Sequence, residues 1–529
     1  MTRFPRRTGS LFVRKSVDQI RADSGDEKLA RSLGPWDLLL LGVGSIIGAG
    51  IYVMTGAAAA HFAGPAVLLS FGVAGLACVF AGLCYAELAS TMPVTGSAYI
   101  YAYATLGELV AWVLGWLLVL EYAVAGATVA VGFSGYLVSL FATLGVAVPA
   151  EIATPFVQSV AAPGGYGFVS GGGVNLIAGG AVLVMATPLL FGLRESVIVN
   201  SSIVALKVVV LVTFVIFGLG AVVPANWVPF IPPNEGGFAF GWPGIFRAAS
   251  VIFFAYLGFE TVSTAAAEAR NPQRDMPLGI LGSLAICTLL YIAVAAVLLG
   301  IVPYRQLGVA DPLALAVDAI GKPWLLLFVK LGAVIGLTSI LLSTTYAQSR
   351  IFYAMSRDGL LPRLFSALHP RFRTPWLGTL VIASGMALAA ATLPITLMGD
   401  LISLGTASSF AIVCLAVMWL RNTRPEMERP FRVPLGGVRF RGVWIGVVPT
   451  LGMIMCLVMV APLAIDIVVK AANGNLLPAC LLLGYLTVGT IIYAVYGVRH
   501  SRLGHARAPR AVPPADLDPT HPEVIATVK

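Results

Sequence analysis

Leu38-Leu-Leu-Leu-Gly42-Val-Gly44-Ser-Ile-Ile-Gly48-Ala-Gly50-Ile-Tyr52 is apolar enough to lie in lipid, yet it is crowded with glycine where a membrane helix should be most regular. Counted from Trp36, Gly48 and Gly50 lie 12–14 residues in, roughly 18–21 Å at 1.5 Å per residue and past mid-membrane. Glycine frees the backbone from helical dihedrals and lets another group approach it closely. In lipid, non-helical backbone survives only where it is buried in protein or lines a polar cavity. The rival reading is close helix packing through small residues. One stretch cannot separate the two, but a second one recurs further on: Ala248-Ala-Ser-Val-Ile-Phe-Phe-Ala-Tyr-Leu-Gly258-Phe-Glu260, with a glycine and a carboxylate deep in another apolar block.

Of 529 residues, 58% are hydrophobic and 11% charged, against about 45–50% and 25% in soluble domains. Apolar blocks run from Trp36 to Tyr493 without a soluble-looking interval, which argues for one integral membrane domain. A bilayer crossing takes about 20 mostly apolar residues. Such stretches are read near 36–58, 65–90, 105–140, 174–193, 197–222, 242–268, 277–302, 324–355, 377–394, 398–420, 444–469 and 475–498. The glycine-interrupted ones are the first and the sixth. Five is an odd number, so spans one to five and six to ten run in opposite orientations. The expected fold is therefore an all-α integral membrane protein of 12 transmembrane helices, a 5+5 inverted repeat with broken helices 1 and 6 plus two C-terminal helices. Its segments are a tail over 1–34, a first repeat over 35–222, a second over 223–420, two helices over 421–500 and a tail over 501–529. Paired interruptions of this kind point to a midplane substrate site in an inverted-repeat transporter.

A formal charge of +9 could suggest nucleic acid, but its distribution reads as topology. Eight Lys/Arg precede Trp36, and Arg194, Arg270, Arg274, Arg357, Arg363, Arg371, Arg373 and the six arginines from Arg421 to Arg441 fall in loops on that same side. The opposite loops hold Arg305, Lys322 and Lys470. The positive-inside rule places both termini in the cytoplasm of a plasma membrane, a bacterial inner membrane in the simplest case. The polar opening stretch lacks the pattern of a signal peptide, so the first span is expected to direct insertion. All six cysteines lie in apolar blocks without a CxxC pair or clustered histidines, so neither a disulfide framework nor a metal site is expected. No cofactor is called for, and an accessory membrane subunit stays open.

Exposed half-helix ends suggest the cargo. Free N–H groups and the positive dipole end suit a carboxylate, and uncapped carbonyls suit an ammonium; a zwitterionic amino acid carries both. Four blocks then carry a resemblance to the amino acid, polyamine and organocation superfamily, most closely its cationic amino acid transporter branch: Gly44–Tyr52, Cys84–Tyr99, Phe253–Glu260 with Glu268-Ala-Arg-Asn-Pro272, and Gln348–Pro362. The similarity covers about residues 30–500. It implies that backbone amides of Gly48, Ala49 and Gly50 hold the substrate carboxylate, and that carbonyls of Ile46, Phe254, Ala255 and Leu257 meet the α-amine. Glu260 stands where members of that family often carry aspartate.

Buried charges supply the coupling candidates. Lys207 lies about ten residues, roughly 15 Å, into the fifth span, where a charge is costly and functional by default; the alternative is a structural ion pair. The resemblance implies that its proton replaces the cation bound by sodium-coupled relatives. Glu121, near the middle of the third span, is either a partner in proton coupling, a counter-charge for a cationic substrate or a structural hydrogen-bonding group. Glu87, Glu268, Arg350 and Arg357 lie near the cytoplasmic ends of their spans, where they would form an inner-gate network or fix loop geometry. Asp466 reads as structural or as part of an oligomer surface. By the same resemblance Thr344 falls at the side-chain end of the pocket, leaving room for arginine, lysine or ornithine beside alanine-sized substrates; the alternative is that it faces another helix and the pocket takes small neutral amino acids. The expected activity is a proton-coupled amino acid importer, not an enzyme, with an exchanger as first rival. A channel would show a repeated filter or an acidic ring, and neither is present.

Overall fold

The computed structural model describes residues 14–15, 32–94, 97–162, 165–192 and 197–502. The remainder of the two tails and Arg194 lie outside the described residues. Among those described, nine helical stretches are long and apolar enough to cross a membrane. The first of them, Pro35–Thr91, is 57 residues long and turns back at Gly64, whose φ is 57°. The helix on its far side is Val67–Thr91. Two further apolar helices, Leu176–Leu190 and Trp376–Thr392, are shorter and pack on one another. The rest of the bundle centres on Glu108–Thr143, which lies along both Pro323–Arg357 and Ile395–Thr423. Pro272–Ile301 packs on Val67–Thr91 and on the first half of the opening span.

The architecture is helical because lipid offers the backbone no hydrogen-bond partners. Outside the helices, the described residues form two two-stranded antiparallel hairpins, Val157–Ala162 with Gly165–Ser170 and Gly437–Phe440 with Val443–Gly446. The second corrects a boundary: a span was expected from residue 444, but the helix begins at Val447. Gly442 turns the chain at φ 83°, and residues 443–446 pair back as a strand. Their apolar composition had read as the start of the helix.

Both glycine-rich stretches are interrupted where the sequence placed the interruptions. The first helix, Pro35–Ile46, ends as Ile47 leaves helical geometry at ψ 98°, and a wider helical turn, Gly50–Met54, follows. The other runs Gly241–Ile252, tightens over Phe253–Tyr256 and opens at Leu257, ψ 134°. Gly258 then adopts φ 118°, a left-handed conformation open to glycine, before a short helix at Thr261–Thr264.

Candidate functional site

The two breaks cross one another. A Cβ on Gly50 would collide with the backbone of Ala255, and one on Gly258 would collide with the Ser45 carbonyl. Thr261 Oγ1 donates to Ser45 Oγ at 3.0 Å. The glycines therefore let two irregular backbones touch inside the bundle, while polar side chains satisfy the freed groups. Tyr291 Oη donates to the Ile46 carbonyl at 2.7 Å, and Tyr136 Oη donates to the Tyr52 carbonyl at 2.7 Å. The Gly258 amide donates to Glu260 Oε2 at 2.8 Å, and Tyr122 Oη donates to Oε1 at 2.9 Å. Glu260 is thus turned onto its own break and tied to Glu108–Thr143.

Gly48, Ala49 and Gly50 head the second half-helix, where amide groups lack intrahelical acceptors. Of the expected carbonyls, Ile46 keeps one lone pair beside Tyr291, and Phe254 accepts the Leu257 amide at 3.0 Å. Ala255 abuts Gly50. The two glycines differ in a way that separates binding from packing. A Cβ on Gly48 meets the flexible end of Ile340, Cδ1 at 3.2 Å, whereas one on Gly50 meets backbone. Gly50→Ala should therefore lower thermal stability with or without substrate. Gly48→Ala should keep its stability and lose the extra stabilisation that substrate confers. A thermal-shift titration reads both, and equal destabilisation by the two would mean that the glycines serve packing alone.

Lys207, on Val197–Gly218, is 1% exposed and donates to the Gly44 carbonyl at 3.1 Å, four residues before Gly48. Its aliphatic stem lies against Gly336 of Pro323–Arg357. Lys207 thus joins its own helix to Pro35–Ile46 through the ammonium and to Pro323–Arg357 through its stem, beside the first break. Glu121 is fully buried, and it is the one buried carboxylate among the described residues with no hydrogen-bond partner on either oxygen. Glu260 and the Thr406 hydroxyl are its polar neighbours, the latter without a hydrogen bond in this geometry. Thr344 donates to its own helix at Ile340 O, 2.9 Å, and packs on Gly126 of Glu108–Thr143. The side chain of Pro323–Arg357 that meets the first break is Ile340, one helical turn away.

Sequence reasoning missed the largest polar cluster. Arg247, fully buried, donates to Asp400 Oδ2 at 2.8 Å and to Asp466 Oδ2 at 2.7 Å. Lys470 pairs with the same Asp466 oxygen at 2.9 Å and stands 3.7 Å from the centre of the Tyr166 ring. Tyr166, from the first hairpin, donates to Asp400 Oδ2. Asp466 is therefore part of an internal network, the structural alternative of its two readings. At the other end of the bundle, Glu87 pairs with Arg421, lies 3.9 Å from Arg429 and accepts the Val433 amide at 2.7 Å.

Residues 33–486 match the amino acid permease family. The chain is 40% identical to the branched-chain amino acid permease BcaP of Bacillus subtilis (strain 168), over 94% of this chain and 99% of the relative. It is also 40% identical to the methylthioribose transporter of that organism, over 93% and 99% respectively. To the vacuolar cationic amino acid transporter 4 of Arabidopsis thaliana it is 38% identical, over 79% of this chain and 68% of the relative.

Proposed function

This chain belongs to the amino acid permease family, and from that premise we propose that it is a proton-coupled symporter importing amino acids across the plasma membrane by alternating access. The family is one of permeases, so the molecule is a multi-pass membrane transporter and not an enzyme. The observation that carries the coupling reading is the Lys207 ammonium on the Gly44 carbonyl beside the first of two crossing breaks. A proton gained or lost there changes what holds the helix end next to the glycines that would receive the substrate carboxylate.

The proposed architecture is twelve crossings, with repeats over 35–222 and 223–420, a helix pair over 421–500 and both tails in the cytoplasm. Pairwise packing of elements five spans apart supports it: Glu108–Thr143 on Pro323–Arg357, Leu176–Leu190 on Trp376–Thr392, and the two breaks on each other. The test is uptake of labelled amino acids into proteoliposomes. An inward proton gradient should drive accumulation, and a protonophore should abolish it. Uptake that needs internal amino acid and ignores the gradient would replace symport with exchange.

For the substrate side chain, the unpartnered Glu121 carboxylate favours arginine, lysine or ornithine, which bring the missing donors. A second reading has its own support. Ile340 presents an apolar surface to Gly48, and a relative 40% identical is a branched-chain amino acid permease, so neutral side chains are accommodated in place of cationic ones. Two variants separate the readings in a competition assay. Ile340→Ala should admit bulkier side chains, shifting the inhibition order toward larger substrates by roughly tenfold, about one methylene or two of apolar contact. Thr344→Met should weaken arginine competition while sparing alanine if the side chain lies in the pocket. If Thr344 serves only to pack on Gly126, the same variant should depress all substrates alike.

A further inference from the structure

The second hairpin, Gly437–Phe440 with Val443–Gly446, has one face left uncovered among the described residues. It joins Ile395–Thr423 to Val447–Ala472, and its register pairs Val438 with Ile445, Arg439 with Trp444 and Phe440 with Val443. Side chains alternate across a strand, so Val438, Phe440, Val443 and Ile445 share one face. All four are exposed, at 68%, 62%, 52% and 40%. The outer edge and the opposite face are both occupied: Asn422 exchanges two hydrogen bonds with the Trp444 backbone at the edge, at 2.7 and 2.9 Å, and on that face the Arg421 guanidinium sits 4.3 Å from the centre of the Trp444 ring. The polar face is thus clamped to the final turn of a membrane helix, and the apolar face is presented beside it.

Two strands alone make a marginal sheet in water, and four adjacent exposed apolar side chains mark an interaction surface. The charges around this face select its occupant. Arg432, Arg439 and Arg441 are exposed along the hairpin and its approach, and the carboxylates of residues 421–447 number only two, Glu426 and Glu428, both before the first strand. Apolar side chains flanked by arginines, held at the level where two membrane helices end, match the boundary between acyl chains and anionic headgroups. We propose that this hairpin is a lipid-binding element that lies on the membrane surface, with Val438, Phe440, Val443 and Ile445 among the upper acyl chains and Arg432 and Arg441, at its approach and its turn, on anionic headgroups. Its attachment through Asn422 and Arg421, the latter also paired with Glu87 of Val67–Thr91, gives lipid composition a mechanical route to the ends of the tenth and second spans.

The test places an environment-sensitive fluorophore on Phe440→Cys, in a background with Cys480→Ser because Cys480 is the exposed cysteine among those described. The full chain is studied in detergent, in neutral phosphatidylcholine nanodiscs and in discs containing phosphatidylglycerol. The expected result is a blue shift in discs relative to detergent. Collisional quenching by a lipid spin-labelled near the headgroup should be greater with phosphatidylglycerol, and Arg432→Gln with Arg441→Gln should remove that difference. A water-like emission in both discs would overturn the proposal. So would equal quenching with neutral and anionic lipid, or a blue shift that appears only with two copies per disc and without lipid quenching, which would assign the face to self-association. None of these readings depends on transport, so the outcome is independent of the proton-coupled symport proposed above.

Discussion

Lys207→Ala is expected to abolish proton-driven accumulation in proteoliposomes while leaving measurable exchange of labelled for unlabelled substrate. The substitution removes the ammonium proposed to carry the coupled proton and its bond to the Gly44 carbonyl, but it leaves the crossing backbones at Gly50–Ala255 and Ser45–Gly258 untouched. Lys207→Arg sharpens the expectation. A guanidinium keeps a positive charge at every accessible pH, so it can still hold the carbonyl, yet it cannot release a proton during the cycle. It should therefore exchange better than the alanine variant and accumulate no better. If either variant concentrates substrate to the wild-type level under an inward proton gradient, Lys207 is a structural tether and coupling lies elsewhere, Glu121 being the next residue to examine.

The parts of the fold that were legible in the sequence are those on which lipid acts directly. A helix that must satisfy its backbone internally leaves a long apolar run, and the two places where it cannot continue leave glycine, at Gly48 to Gly50 and at Gly258. What escaped the reading depends on partners brought together from distant parts of the chain. Tyr291, which satisfies the Ile46 carbonyl, is 245 residues away from it, and nothing local distinguishes it from any other tyrosine in an apolar helix. Glu260 was visible as an anomaly, but its attachment to its own Gly258 amide and to Tyr122 follows from a backbone conformation that no spacing encodes. Thr344 illustrates a subtler limit. It and Ile340 lie on the same helix face one turn apart, about 6 Å along the axis, so alignment by motif identifies the face while the depth decides which of the two meets the break. The second hairpin was hidden because its four-residue strands carry too little pattern to separate from a helix start.

Arg247→Met is the substitution expected to cost the most stability. Arg247 is the largest fully buried side chain among the described residues, and it joins Gly241–Ile252, Ile395–Thr423 and Val447–Ala472 through two carboxylates. Taking the guanidinium away leaves Asp400 and Asp466 buried, with Lys470 compensating the second and only the Tyr166 hydroxyl serving the first. Breaking a buried pair in this way costs about 3–5 kcal/mol, because the charge left behind is uncompensated, whereas replacing all its members with apolar groups of similar volume is often neutral. The triple variant Arg247→Met, Asp400→Leu, Asp466→Leu should accordingly recover most of the stability lost by the single one, measured as apparent melting temperature in one detergent. The two differ in what they do to motion. Arg247 rides on the half-helix leading into the second break, so a network that binds it to Ile395–Thr423, to Val447–Ala472 and to Tyr166 of Gly165–Ser170 is expected to resist opening of the bundle at that end. The triple variant, stable but without the network, should expose a cysteine placed at Ser250 to a membrane-impermeant thiol reagent faster than wild type does. Equal labelling rates would assign the network to folding alone and leave the gate to other contacts.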